Sequence, residues 1–444
     1  MTERHGAYEV ARDVADRAVL VGVDRGKHGW PIEEDIAELA RLADTAGAEI
    51  VGTVVQRLER PNPRTFIGPG KAEEVARLVT ETQATLVVFD DDLSPSQQAN
   101  IEAAMPGVKV LDRTALILDI FALHATSREG RLQVELAQME YLLPRLRGLW
   151  RHLERTGAAA GGALGIGTRG PGETQLETDR RLARRRIQEL KRELAAVDRA
   201  RATQRHGRAR SSVFRVALVG YTNAGKSTLL NALTGADVLV EDMLFATLDA
   251  TTRRLELPEG RVITLTDTVG FINKLPHSLV EAFKSTLDEV AEADLLLHVV
   301  DASHAMARAQ IAAVAEVLGE IGASATPTLM VYNKADALSE PERRQLAAAA
   351  PHAVVVSART GDGLPGLLER IAREASRGDR TYSLLVPYTR GDVVRTLHEQ
   401  ARIITEEHMP EGTRVDARVP QALLDGVREF LIESSGNVAD TEPR

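Results

Sequence analysis

The chain of 444 residues contains no cysteine, which removes disulfide staples, thiol nucleophiles and Cys-ligated zinc from consideration. Aromatic residues are scarce, at 4%. No apolar run approaches the ~18 residues of a membrane-spanning helix. The N-terminal stretch MTERHGAYEVARDVADRA mixes both signs of charge and has no apolar core segment of the kind that marks a secretory leader. These absences leave a cytoplasmic protein as the simplest expectation.

What is present is globular. With 43% hydrophobic and 27% charged residues, general disorder is excluded, and the length suggests roughly three domains. The net charge of −9, taken alone, argues against a nucleic-acid partner. Its distribution argues the other way. Residues 128–210 carry nineteen Lys or Arg against ten Asp or Glu, a local +9 that leaves −18 for the remainder. Such asymmetry points to an element facing a polyanion on an otherwise acidic body.

Periodicity divides the chain. Over residues 1–127, AVLVGV, EIVGTVVQR, ATLVVF and VKVLD alternate with helical stretches such as IAELARLADTAG and KAEEVARLVTE, which reads as a small parallel α/β domain. NPRTFIGPGK, residues 62–71, reads as a connector. Over 128–210 the period changes: Leu132, Leu136, Met139, Leu143, Leu146, Trp150 and Leu153, then Ile187, Leu190, Leu194 and Val197, fall at steps of three and four. This predicts a long antiparallel helical hairpin with narrow apolar seams, a tip at 157–172, and a kink at Pro144. Residues 211–377 resume βα alternation. Residues 378–444 read as a small α+β domain whose last stretch, ESSGNVADTEPR, frays.

The hairpin tip, GGALGIGTRGPG, holds six glycines in twelve residues. Its GIGTRG matches the dinucleotide fingerprint literally, but that fingerprint requires a preceding strand, and LPRLRGLWRHLERTG upstream is helical and basic.

The chemistry lies in the third domain. GYTNAGKS (Gly220, Tyr221, Thr222, Asn223, Ala224, Gly225, Lys226, Ser227) follows the strand FRVALVG and opens a helix through Thr228, the context that makes a phosphate-binding loop specific. Its glycines let backbone N–H groups turn inward on an anion, Lys226 reaches the β- and γ-phosphates, and Ser227 ligates Mg²⁺. In ITLTDTVG, Asp267 can hold the Mg²⁺ shell from outside the first coordination sphere. Thr268, Val269 and Gly270 follow, and the Gly270 N–H can bond the γ-phosphate. LMVYNKADAL supplies Asn333, Lys334, Ala335 and Asp336; a carboxylate at 336 accepts from guanine N1–H and the 2-amino group, whereas adenine leaves it unpaired. VVVSART adds Ser357, Ala358 and Arg359, where a backbone N–H can cap guanine O6. FATLDATT places Phe245, Ala246, Thr247, Leu248 and Asp249 in the loop that closes on Mg²⁺. Thr247 is the chosen ligand, with Thr251 and Thr252 as alternatives. Lys226, Thr247 and Gly270 are the catalytic candidates. Phe271 stands where many small GTPases place a water-orienting glutamine, so intrinsic hydrolysis is expected to be slow and to need a partner. Asn223 can ligate a monovalent cation such as K⁺ or serve as a turn residue.

These four motifs in order, with GGALGIGTRGPGETQLETDRR upstream and the segment FATLDATTR, make the chain resemble the HflX family of translation-associated GTPases over nearly its full length. The family often shows FATLDPTTR; Ala250 replaces that proline, which loosens the loop without touching the chemistry. The resemblance implies GTP and GDP as ligands and Mg²⁺ as cofactor. It implies binding to the large ribosomal subunit and its rRNA, with the hairpin tip reaching toward the peptidyl-transferase region. GTP would control attachment to, and splitting of, stalled or idle ribosomes. On this chain Gly165, Gly167, Arg169, Gly170 and Gly172 are then the tip candidates, and Arg180, Arg181, Arg184, Arg185 and Arg186 would neutralise RNA phosphates; a monomer is expected.

Two other readings compete. One is a GTP-dependent scaffold or signalling switch that binds protein through its N-terminal domain. The other is an ATP-driven RNA remodeller, which no second phosphate-binding loop supports.

Overall fold

A computed structural model describes residues 15–26, 30–146, 171–208, 213–235, 243–274, 276, 279 and 284–432. The chain forms two compact units. The first comprises residues up to Ala196 together with Met243–Phe245 and Leu275–Ala282; the second comprises Val197–Asp242, Ala246–Lys274 and Phe283–Arg444.

In the first unit, β1 (Arg17–Asp24), β2 (Glu49–Arg57), β3 (Leu86–Phe89) and β4 (Lys109–Asp112) form a parallel sheet in the order β2-β1-β3-β4. The central strands are apolar at nearly every position because both faces are covered, as a parallel sheet requires. Helices Ile32–Thr45, Pro69–Thr82 and Pro95–Ala104 make the three crossovers, and helix Arg113–His124 follows β4. Their starts are written in the sequence: Ser94 and Gln97 form a reciprocal capping box, and Asp112 accepts the Ala115 N–H at 2.9 Å. The 62–71 connector is more than a linker, since Phe66 and Ile67 are buried in the core with Val19, Val87 and Phe89.

Helix Arg128–Leu142, capped by Ser127, packs with helix Pro171–Arg208 through Leu132, Leu136, Ile187 and Leu190, flanked by Met139, Leu143 and Leu194. Pro144 interrupts this arm: residues 143–145 form a turn, Leu146 is helical again, and residues 147–170 lie outside the described ones. The helix stops at Leu142, because a proline at 144 has no N–H to offer the carbonyl four residues back, and the Arg145 N–H closes a turn onto Leu142 at 2.8 Å instead. Trp150, Leu153, most of the 157–172 tip and the 433–444 tail lie outside the described residues.

In the second unit, β5 (Arg215–Gly220), β6 (Thr251–Glu256), β7 (Val262–Asp267), β8 (Leu295–Asp301), β9 (Thr328–Asn333) and β10 (Val354–Val355) form a six-stranded sheet in the order β10-β9-β8-β5-β7-β6. Only β6 runs antiparallel to its neighbour. The chain winds first to one side of β5 and then to the other, and the carboxyl ends beside that reversal are where an α/β sheet offers a ligand crevice. The amphipathic helix Leu364–Ala375 buries Leu367, Ile371 and Ala375 on one flank. Buried Arg261 ties that helix down, donating to the Ala375 carbonyl at 2.6 Å and pairing with Asp379 at 3.0 Å. Beyond it, β11 (Arg380–Val386), β12 (Arg402–Met409) and β13 (Gly412–Val419) form an antiparallel sheet in the order β11-β13-β12, covered by helix Gly391–Gln400.

Candidate functional site

The carboxyl ends of β5, β7, β8 and β9 deliver Gly220, Asp267, Asp301 and Asn333 to one edge of the sheet. Gly220–Ser227 turns there from strand to helix. Gly225 has φ +87°, and a Cβ on it would stand 2.3 Å from Asn333 Nδ2, so only glycine fits. Lys226 is buried and donates to the carbonyls of Gly220 at 3.2 Å and Tyr221 at 2.9 Å. Burial pushes its ammonium down to about 8, against the pull of the Asp267 carboxylate. A cation held on loop carbonyls can be turned onto phosphate oxygens by small rotations.

Asp267 is 1% exposed. One carboxylate oxygen accepts the Ser227 hydroxyl at 2.6 Å, while the other, Oδ1, is buried without a partner. Burial raises its pKa, opposed by Lys226 and the Ser227 and Thr247 hydroxyls. Thr247 Oγ1 lies 2.8 Å from Ser227 Oγ. An orphaned carboxylate oxygen next to two hydroxyls is the hard, oxygen-only donor set that suits Mg²⁺. The alternatives to Thr247 are placed in β6: Thr251 pairs with Asp267 in the ladder, and the Thr252 hydroxyl bonds Thr266 at 2.9 Å.

Gly270 passes close to the loop. A Cβ there would meet Thr222 Cγ2 at 2.8 Å, Thr222 Cα at 2.9 Å and Lys226 Nζ at 3.0 Å, so backbone alone can approach. Phe271 is 1% exposed and its backbone exchanges bonds with Gly220 and Thr222. Its ring lies in the core and offers nothing to a water molecule.

At the base-recognition end, Asp336 Oδ1 accepts the Ser357 hydroxyl at 2.6 Å and Oδ2 takes the Arg359 guanidinium. These contacts hold the carboxyl below its usual range, Ser357 contributing most. Asn333 Nδ2 donates to the Ala224 carbonyl at 2.9 Å and Oδ1 accepts the Ala358 N–H at 3.0 Å, so one amide ties the phosphate loop to the base loop. The Ala358 N–H is thereby committed to Asn333, and the Ser357 N–H goes to the Asp362 carbonyl at 2.9 Å. Lys334, at φ +62°, pairs with Asp301 at 2.8 Å. Sequence reasoning had no role for Asp301; its position closing the apolar run LLLHVVD was the available signal. It also passed over His298 on β8, buried and held neutral with its pKa pushed down to about 4 by desolvation.

Several residues expected to bind nucleotide have side chains committed within the protein. Phe245, Leu248 and Val269 are buried apolar side chains, the Tyr221 hydroxyl accepts the Asn273 N–H at 2.6 Å, and Thr268 donates to the Leu218 carbonyl at 2.7 Å. Ala246, Thr228 and Asp249 are half-buried beside the site, while Asn223 is exposed with φ +58°, the conformation of a turn residue.

Of the RNA-facing candidates, Arg181, Arg184 and Arg185 are exposed on helix Pro171–Arg208 and Arg180 is half-buried. Arg186 does not belong with them. It forms a bidentate pair with Glu135 at 2.7 and 2.9 Å and reaches Glu189 and Glu193, because it sits beside the apolar seam. Gly172 lies in the first turn of that helix; Gly165, Gly167, Arg169 and Gly170 lie outside the described residues.

Residues 33–122 match the family described as GTP-binding GTPase N-terminal, residues 124–208 the GTP-binding GTPase middle region, and residues 215–334 the family described as 50S ribosome-binding GTPase. The chain is 48% identical over 425 residues to the GTPase HflX of Caldanaerobacter subterraneus subsp. tengcongensis, covering 96% of this chain and 95% of the relative. It is 45% identical over 419 residues to the GTPase HflX of Escherichia coli strain K12, covering 93% and 95%. The crystal structure of an SsGBP–GDP complex aligns with 81% of this chain and 99% of its own at 25% identity, with a TM-score of 0.47.

Proposed function

Because the chain belongs to the HflX family of GTPases and is a GTP hydrolase, we propose that it docks on the large ribosomal subunit and that its nucleotide state sets how long it stays. The match of residues 215–334 to a family of 50S ribosome-binding GTPases carries this reading. The exposed Arg181, Arg184 and Arg185 in an otherwise acidic chain support it. Splitting or rescue of stalled or idle ribosomes is the task we assign to the docked state.

On this reading the Gly220–Ser227 backbone wraps the phosphates, and Lys226 leaves the carbonyls of Gly220 and Tyr221 to neutralise them. Ser227 and Thr247 would hold Mg²⁺ directly, with Asp267 outside the first coordination sphere turning its unpartnered oxygen toward the ion's shell. When bound, that ion neutralises charge building up between the β- and γ-phosphates. Gly270 offers its N–H where no side chain fits. Asp336 accepts the two donors of guanine once Arg359 swings aside. With the Phe271 ring in the core, no side chain at that position orients the attacking water, so the docking partner completes the site.

The experiment is the GTPase rate with and without purified large subunits across a salt series. Stimulation of the order of 10³-fold that fades with salt is expected; no stimulation at any salt overturns the docking reading. The scaffold alternative is separated by converting Arg181, Arg184 and Arg185 to Glu: unchanged subunit binding would favour it.

A further inference from the structure

The C-terminal sheet carries a charge arrangement that its own stability does not explain. Along the ladder between β12 and β13, Glu407 stands opposite Arg414, whereas at the far end Arg402 stands opposite Arg418. Like charges directly across an antiparallel ladder destabilise it. Both arginines are exposed, and among the described residues neither makes an ion pair. A third, Arg373, comes from the last turn of helix Leu364–Ala375. Its neighbours Arg370 and Arg377 both pair with Glu374, at 3.5 and 3.4 Å, while Arg373 makes no ion pair among the described residues. The carbonyls at a helix end favour a cation, which accounts for one arginine there and not for three that converge.

Arg373, Arg402 and Arg418 line one open cleft of about 520 Å³ together with Ser376, Glu259 and Glu369. Every wall of it lies in the second compact unit. Buried Arg261 seats those walls on one another, since its bonds to the Ala375 carbonyl and Asp379 join the turn after β6 to the end of the helix and the start of β11. Guanidinium groups present planar forks of N–H donors that match phosphate oxygens two at a time. Three arginines against two glutamates leave the cleft at +1, too little to hold a small free anion firmly, so a ligand that collects contacts beyond the cleft is favoured. Such contacts exist. On β6, four and five residues before Pro258 in the cleft wall, Arg254 and Arg253 are exposed and make no ion pair among the described residues. We propose that this cleft docks RNA, its three arginines gripping the sugar–phosphate backbone of the large subunit's rRNA without reading base sequence. The inference rests on the ribosomal reading above. It gives the GTP-hydrolysing unit a basic contact of its own, distinct from Arg181, Arg184 and Arg185 in the first unit.

The test uses the full chain with Arg373→Gln, Arg402→Gln and Arg418→Gln combined, which keeps reach and removes charge. With a non-hydrolysable GTP analogue bound, affinity for purified large subunits is expected to fall by about 3- to 100-fold at low salt, each exposed charge pair contributing about 1.4- to 5-fold. The slope of log affinity against log salt should flatten by about 2 to 3. GDP affinity should stay within about twofold, because the cleft and the nucleotide site share no residue. Tm should hold or rise, since the repulsion between residues 402 and 418 is gone. Wild-type subunit affinity with an unchanged salt slope overturns the cleft and leaves the docking reading standing. A fall in Tm alongside the lost binding also overturns it, by marking a structural role for the arginines. Failure of the wild type to bind subunits at all overturns both readings. Two further arms identify the ligand. The chain has no cysteine, so Glu369→Cys carries a photocrosslinker into the cleft alone. Crosslinks to rRNA are expected, and crosslinks to ribosomal protein only would overturn the RNA assignment. Inorganic tripolyphosphate is titrated in saturating GDP: binding by the wild type and not by the variant, with equal subunit affinity in the two, would overturn RNA in favour of a free polyphosphate.

Discussion

Replacing Asp336 with asparagine tests base recognition most sharply. In the ligand-free site the two carboxylate oxygens are taken by Ser357 and Arg359, so both are already oriented toward donors. Guanine offers two N–H donors to that edge, and hydrogen bonds to a charged group contribute about 1.5–3 kcal/mol each. Asparagine retains one acceptor and turns an NH₂ against the other donor. The expected loss is about 3–6 kcal/mol, roughly 10²- to 10⁴-fold in GDP affinity. Titration calorimetry with GDP and with xanthosine diphosphate reads it, because a 2-oxo base offers an acceptor where guanine offers an amine and should recover much of the loss. A drop in GDP affinity of less than tenfold, or equal binding of GDP and ADP by the wild type, would refute the assignment of Asp336.

Gly270→Ala forces a methyl to within 3.0 Å of Thr222 and Lys226; GDP affinity should survive within a few-fold while GTP turnover falls at least tenfold, measured by phosphate release. Lys226, with its pKa near 8 in the free site, becomes fully charged on meeting phosphates. Nucleotide affinity should therefore hold below pH 8 and fall by up to tenfold per pH unit above it, and a flat profile from pH 7 to 9.5 would contradict that. His298 is held neutral with its pKa near 4 against an ordinary 6.5. Its contribution is present above pH 6.5 and lost as pH falls toward 4, about 3 kcal/mol in all. Denaturant titrations of His298→Phe should show a shallower acid loss than the wild type.

The sequence made the candidate site's position legible because each motif falls at a strand end: Lys226, Asp267 and Asp336 all stand at the carboxyl edge of the sheet that FRVALVG, ITLTD and LMVYN predict. Thr247 stands apart from Thr251 and Thr252 only in three dimensions, where its hydroxyl meets Ser227 while the other two belong to strand β6. What escaped reading were long-range commitments. The Ala358 N–H goes to Asn333, Arg186 goes to Glu135, and the Phe245 ring goes to Phe121 instead of the nucleotide. No local pattern encodes such partners, because they depend on which elements the fold brings side by side. Pro144 was read as a disturbance of the helix, and the turn at 143–145 is where the helix breaks, because the sequence carries the missing N–H.

Co-sedimentation of the purified chain with large ribosomal subunits, run in parallel with GDP and with a non-hydrolysable GTP analogue, bears most directly on the central claim. Binding that is strong with the analogue, weak with GDP and weakened in both by salt is the expected result. Equal pelleting with either nucleotide, or none with both, would contradict a nucleotide-controlled ribosomal GTPase.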